Sequence, residues 1–311
     1  AEIVDAMTLL LAKENYQKEN TMSDKSLREA GRKGRQEGHD FEGKFVIRAS
    51  QEETPCVGAP KRVPDISGKS TTAKPDCVLR PKRGGEIGLS LKNPARQSMS
   101  IQMMIVSVPR FCSAMADRGW NVPVLARDCL NLFVGHLPFE PSLRKVNIEE
   151  DQLDSEELRR GRCTWSTIPS ANSDSLLEFL NTPGANKELL NIVLRQGMAL
   201  NVPEHAADWM VWSDGPKKTD LENLSVYRIE KLIDLMVETE RWEIKHSQTV
   251  LKLGPITLQM KGSGDKKGTS YHSMQFNASL SDILKYSAPT LGVISGNCEK
   301  VVAGILKAEG C

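Results

Sequence analysis

Lys74-Pro75-Asp76-Cys77-Val78-Leu79 is followed, after the turn Arg80-Pro81-Lys82-Arg83-Gly84-Gly85, by Glu86-Ile87-Gly88-Leu89-Ser90-Leu91-Lys92. Two short apolar runs on either side of a Pro- and Gly-containing turn read as a β-hairpin. In the second run Glu86, Gly88, Ser90 and Lys92 fall on one face, and Ile87, Leu89 and Leu91 on the other, toward a core. Strands running back alongside each other from the glycine turn bring Asp76 beside Ser90 and Lys92. A carboxylate that holds a hard divalent cation, next to a lysine that orients water, suits metal-assisted phosphodiester hydrolysis.

Upstream, Ile3, Met7, Leu10 and Leu11 share a face of a predicted helix over residues 2–20. A second helix starts at Ser26, where Ser26 and Glu29 stand in capping-box spacing. From Leu27 a stripe continues through Gly31, Gly34, Gly38, Phe41 and Phe45 in steps of four and three. Glycine there costs helix stability, about 1 kcal/mol each relative to alanine, so this face either packs closely on a neighbour or lies beside a ligand backbone. Thr54 to Lys74 is a loop, and residues 61–83 hold seven basic side chains against two acidic ones, the densest basic stretch in the chain.

Together these residues resemble the PD-(D/E)XK nuclease superfamily, and within it the type II restriction endonucleases. In that family a helical Glu precedes a Pro-Asp, and the second strand ends in Asp or Glu, any residue, then Lys. Pro75-Asp76 matches the first half and Lys92 the lysine, sixteen positions on. The departure is Ser90, where the family usually has a carboxylate. Glu86 on the same strand, or Glu42 or Glu37 on the glycine-striped helix, is left to supply the missing ligand. Gly38-His39-Asp40-Phe41-Glu42 resembles the family's early helix, and Glu42 is the preferred candidate. The resemblance covers about residues 26–110.

What it implies is an α/β (α+β) fold with a mixed central β-sheet flanked by helices, restriction-endonuclease-like, with a helical insertion or second lobe. Asp76, Lys92, Ser90 and Glu42 would form the catalytic group, and Asp76 with Glu42 or Glu86, joined by the main-chain carbonyl after Ser90, would hold Mg2+. The implied activity is metal-dependent, sequence-specific cleavage of double-stranded DNA by a homodimer, in a prokaryotic or phage setting. The alternative is a nucleic-acid-binding protein without catalysis, on a degenerate nuclease fold.

Downstream, a helix is predicted over Pro94 to Val108, with a further apolar segment at Val122 to Val134. The acidic stretch from Glu149 opens a mainly helical region, in which Leu176, Leu177, Leu180, Leu189, Leu190, Val193 and Leu194 keep helical spacing, as do Ile229, Leu232, Ile233 and Met236. After Glu240 the period becomes two, giving a hairpin over Trp242–Lys252 and Pro255–Lys261 and a strand over Ser273–Leu280. Glu243-Ile244-Lys245 is a literal Glu-x-Lys but has no Pro-Asp strand upstream, so it reads as an amphipathic strand. The expected organisation is therefore 1–148 with the site, 149–240 mainly helical, and 241–311 completing the core with DNA contacts.

Those contacts fall on the loop Lys261 to Gly268, with Lys261, Lys266 and Lys267 for phosphates, and on Gln275 and Asn277, whose side chains are of the kind that reads adenine edges. Lys82 and Arg83 in the first hairpin's turn are further candidates for the duplex. The whole chain of 311 residues balances 41 basic against 40 acidic side chains, which excludes a polycationic binder but not a local basic surface. Its seven cysteines are scattered without CxxC or zinc spacing, and read as free thiols. No apolar run approaches the roughly 20 residues of a membrane span, and the N-terminus lacks the pattern of a secretory signal, so the expectation is a cytoplasmic, non-membrane protein. There is no Gly-x-Ser-x-Gly and no P-loop, and the five histidines do not cluster.

Overall fold

The computed structural model describes residues 29, 32–33, 36–65, 68–93, 100–134, 165–199, 205–213, 221–245, 250–260, 273–287 and 292–311. The expected helix over 2–20, the acidic stretch from Glu149 to Glu157, and the loop Lys261–Gly268 lie outside these residues. Helix α1 runs over 36–49. Strands β1 (Cys56–Gly58), β2 (Val63–Pro64), β3 (Ser70–Thr71), β4 (Cys77–Leu79), β5 (Ile87–Lys92) and β6 (Ser100–Ser107) follow. Next come helices α2 (Val108–Asp117), α3 (Val124–Phe133), α4 (Ser170–Asn181) and α5 (Pro183–Leu190), then β7 (Trp209–Ser213), β8 (Leu224–Arg228) and α6 (Ile229–Thr239). The rest is β9 (Glu243–Ile244), β10 (Val250–Leu253), β11 (Ile256–Met260), β12 (Ser273–Ser279), α7 (Leu280–Ser287), β13 (Ile294–Gly296) and α8 (Cys298–Ala308).

Six strands form a mixed sheet in the order β1-β4-β5-β7-β8-β13, flanked by helices, as the sequence reading expects. Neighbours are antiparallel except β5 and β7, which run parallel. β5 is buried on both sides, and so departs from the expected alternation of a solvent-facing and a core-facing side: Ser90 is 0% exposed and Gly88 is buried too. The reason is its central place, since a strand with partners on both edges and layers on both faces has no wet side. Gly88 is required there by close approach. A Cβ at that position would stand 2.0 Å from the carbonyl oxygen of Ala206.

On one face, α1 and α8 cover the sheet. Phe41, Phe45 and Ala49, four residues apart on α1, pack with Leu79, Leu89, Leu91, Val211 and Val226, and with Val301, Val302 and Ile305 of α8. Burying each large apolar side chain contributes about 1.5–3 kcal/mol. Arg48 joins the two helices' ends through Glu299 at 2.7 Å and also pairs with Glu222. The glycine stripe is not used for close packing at Gly38, where an added Cβ would meet nothing within 4 Å.

Met210, Trp212 and Tyr227 on the other face belong to a larger core with α2 to α6 and a second sheet. That sheet is antiparallel, in the order β6-β12-β11-β10-β9, and its Leu251, Leu258, Met274 and Phe276 point into the core. The predicted helix over Pro94 to Val108 is corrected here. Residues Ser100–Ser107 are strand β6, whose Ile and Val content favours the pleated sheet, and the helix begins only at Val108, with Pro109 in its first turn where no N–H is needed. The described residues of the stretch 149–240 are mostly helical and also contribute β7 and β8 to the six-stranded sheet. Trp209–Ser213 and Leu224–Arg228 are too short to show a period, and tertiary pairing decides them. Among the described residues no helix is long and apolar enough to cross a membrane.

Candidate active site

The β4–β5 hairpin pairs Cys77 with Leu89, Val78 with Gly88 and Leu79 with Ile87. Just before the paired residues, the Asp76 N–H donates to the Leu89 carbonyl at 2.8 Å, which holds Asp76 at the open end of the hairpin. Its Oδ2 accepts from the Leu91 main-chain N–H at 2.6 Å, from Ser90 Oγ at 3.3 Å and from Lys92 Nζ at 3.5 Å. Among the described residues none donates to Oδ1. The side chains of Asp76 and Lys92 are 25% and 16% exposed, half-sunk at the rim rather than lost in the core.

Two hollows meet at Asp76. One, of about 450 Å³, takes in Asp76, Lys92, Lys74, Arg62, Arg110 and Gln102; the other, of about 630 Å³, takes in Asp76, Arg62, His39, Glu42 and Gly43. Arg62 and Asp76 belong to both, so a single groove runs past the carboxylate. Arg110 is held at the wall by Asp65 at 2.7 Å, and Asp65 itself is buried. Lys74 reaches inward to donate to the carbonyls of Met103 at 2.9 Å and Val193 at 2.5 Å. Burial, reinforced by the charge of Lys92 and opposed by Asp76, pushes its ammonium down to about 7. A neutral amine keeps two N–H donors, enough for both carbonyls.

The structure thus brings Asp76, Ser90 and Lys92 together and lays Glu42 along the same groove, where His39 Nδ1 lies 3.4 Å from its Oε2. It does not bring Glu86 there. Glu86 precedes β5 at the end away from Lys92, roughly 20 Å along the strand by the strand rise, and pairs with Arg80 at 2.7 Å. Lys82 and Arg83 lie at that same turn end, and Lys82 pairs with Glu53 at 2.9 Å. Glu37 gives its carbonyl to Asn93 Nδ2 at 3.4 Å. Gln275 and Asn277 stand on β12, in the second sheet, while Lys261, Lys266 and Lys267 lie outside the described residues.

Among the described residues no three of His, Cys, Asp and Glu gather as a ligand set. Mg2+ does not require one, since it keeps several waters and takes one or two carboxylates. Asp76 with its unused Oδ1, Glu42 across the groove, and the Leu91 carbonyl form a donor set of the right hardness. That carbonyl leaves the strand on the same side as the Leu91 N–H, which is the side of Asp76.

Sequence reasoning missed Lys74, Arg110 and Gln102 as groove residues. Lys74 carries a signal, two positions before Asp76; Gln102 falls where the sequence predicts a helix, and only the strand reveals its side, while Arg110 lies in the first turn of α2, whose packing places it at the groove.

No protein-family model matches the chain, and no curated protein matches it. Among solved structures, the chain is similar to the restriction endonuclease MspI in complex with its cognate DNA, at 9% sequence identity and a TM-score of 0.42, over 72% of this chain and 70% of that one. At this level of likeness nothing is carried from that protein's residues to this chain's.

Proposed function

We propose that the chain is a metal-dependent endonuclease that hydrolyses phosphodiester bonds in double-stranded DNA in a sequence-specific way, like type II restriction enzymes. The observation that carries this reading is the meeting of Asp76 and Lys92, backed by the buried Ser90, at the rim of a groove flanked by Arg62 and Arg110. The two arginines suit a polyanionic backbone, because a guanidinium fork matches phosphate oxygens. Asp76, Glu42 and the Leu91 carbonyl would hold Mg2+, which when bound polarises the phosphoryl oxygen and lowers the pKa of a ligand water.

Lys92 does the protein's own share of the chemistry. Its ammonium, steadied by Asp76 at 3.5 Å, orients the attacking water and balances the charge that builds on the phosphate in the transition state. The Ser90 hydroxyl and the Leu91 N–H fix the Asp76 carboxylate, leaving Oδ1 to face the groove. By the family resemblance, two copies would act on a palindromic site.

One observation favours a second reading, that of a DNA-binding protein without catalysis. Ser90 offers a neutral hydroxyl where the family pattern has an anion. Incubation with long DNA and Mg2+ separates the readings: discrete fragments support the nuclease, and intact DNA under conditions of demonstrated binding supports the second.

A further inference from the structure

We infer that the open face of the second sheet is a reading surface for the base edges of duplex DNA, built from Gln102, Gln259, Gln275 and Asn277. The strand register lays these residues out in two rows. Val250, Gln259, Gln275 and Ile105 stand opposite one another across β10, β11, β12 and β6; Lys252, Thr257, Asn277 and Gln102 form the adjacent row. Their strand neighbours Leu251, Leu258, Met274 and Phe276 point the other way into the core, which fixes the polar set on the outer side. A hollow of about 450 Å³ lies over it, with Gln102 exposed, Gln259 and Gln275 half-buried and Asn277 buried at its floor.

Three properties suit this face to bases rather than to phosphates or water alone. Carboxamides carry a donor and an acceptor at fixed separation, the complement of adenine's major-groove edge. The two rows hold no carboxylate, and Glu243 at the β9 end is paired with Lys245, so among these described residues no unpaired anion repels the duplex. The face is also arranged in advance: Gln275 Nε2 donates to Asn277 Oδ1 at 2.9 Å, which leaves Gln275 Oε1 as an acceptor and Asn277 Nδ2 as a donor, both without a partner among the described residues.

Position completes the case. Gln102 lines both this hollow and the groove that holds Asp76 and Lys92, so a duplex lying in the groove extends over the sheet. A major groove admits a two-stranded ribbon, and the adjacent strands β11 and β12 carry three of the four carboxamides. In the sequence, Lys261, Lys266 and Lys267 stand between β11 and β12, the strands that supply three of the four carboxamides.

This assignment rests on the DNA reading proposed above, and binding separates the two. The full chain carrying Lys92→Ala, so that turnover is stopped, is equilibrated with a pool of random-sequence duplexes in Mg2+, and the bound fraction is sequenced. An enriched motif is expected, and adding Gln259→Ala or Gln275→Ala lowers the preference at one base pair by about tenfold or more while affinity for the unselected pool changes little. Both substitutions lie on an open sheet face, and a melting curve matching the parent's verifies the fold. The same motif at the same strength in both variants, or no motif in the parent, overturns the inference. A motif that shifts as expected beside a wild-type chain that leaves DNA intact in Mg2+ overturns the hydrolysis reading and upholds this one.

Discussion

The Leu91 main-chain N–H donates to Asp76 Oδ2 at 2.6 Å, so the carboxylate at the start of one strand is held by the backbone of the next. Asp76→Asn keeps the shape and removes the charge. A neutral amide is a poor ligand for a hard cation, so Mg2+-dependent cleavage should fall by about 10²-fold or more, with the Mg2+ concentration for half-activity raised. The weaker hydrogen bond should cost about 1 kcal/mol of stability, read from urea denaturation. Cleavage at the wild-type rate and Mg2+ requirement would remove Asp76 from the site.

Ser90 is fully buried with its hydroxyl 3.3 Å from Asp76. Ser90→Asp places two carboxylates side by side, and like charges at that distance cannot both ionise freely. Without divalent cations the variant should melt below the wild type. Adding Mg2+ or Mn2+ should raise its melting point more than it raises the wild type's. Equal shifts for both proteins would mean that position 90 does not face a cation site.

Glu42 and Glu86 were rival candidates from sequence, and the structure separates them: Glu42 shares the groove with Asp76, while Glu86 pairs with Arg80 at the far end of β5. Glu42→Gln should raise the Mg2+ concentration for half-activity by about tenfold or more, and Glu86→Gln should leave it unchanged. A matched pair of Mg2+ titrations decides, and the reverse order would move the metal to the hairpin turn.

Two glycines should respond in opposite ways to alanine. At Gly88 a Cβ collides with the Ala206 carbonyl oxygen at 2.0 Å, on a backbone whose N–H is bound to Asp208 at 3.0 Å, so there is no room to shift. Gly88→Ala should destabilise by about 3 kcal/mol. At Gly38 nothing lies within 4 Å, so Gly38→Ala should stabilise by up to about 1 kcal/mol through helix propensity. Urea midpoints of the two variants test the contrast.

The hairpin was legible because its signals are local. Pro75, the Gly84-Gly85 turn and the two short apolar runs mark the hairpin within twenty residues, and running its strands back from the turn brings Asp76 near Ser90 and Lys92. Strands β10 and β11 were legible for the same reason, their alternation being that of a sheet with one open face. What was hidden is what depends on long-range partners. β7, Trp209–Ser213, is buried throughout, and nothing in four apolar residues and a serine says that it runs parallel to β5. Helix α8, capped by the Asn297 side chain on the Lys300 N–H, seals a face whose other half lies some 250 residues earlier on α1. The double burial of β5 follows from these layers, so its alternation misled where that of β11 did not.

Lys92 is the residue on which the proposed hydrolysis turns. In that proposal its ammonium acts on the transition state more than on the bound duplex, so Lys92→Ala should lose cleavage by about 10²-fold or more while its affinity for the same DNA, measured by fluorescence anisotropy in Mg2+, stays within a few-fold of wild type. A Lys92→Ala chain that cuts DNA as fast as the wild type, at equal binding, would contradict the account and place the chemistry elsewhere in the molecule.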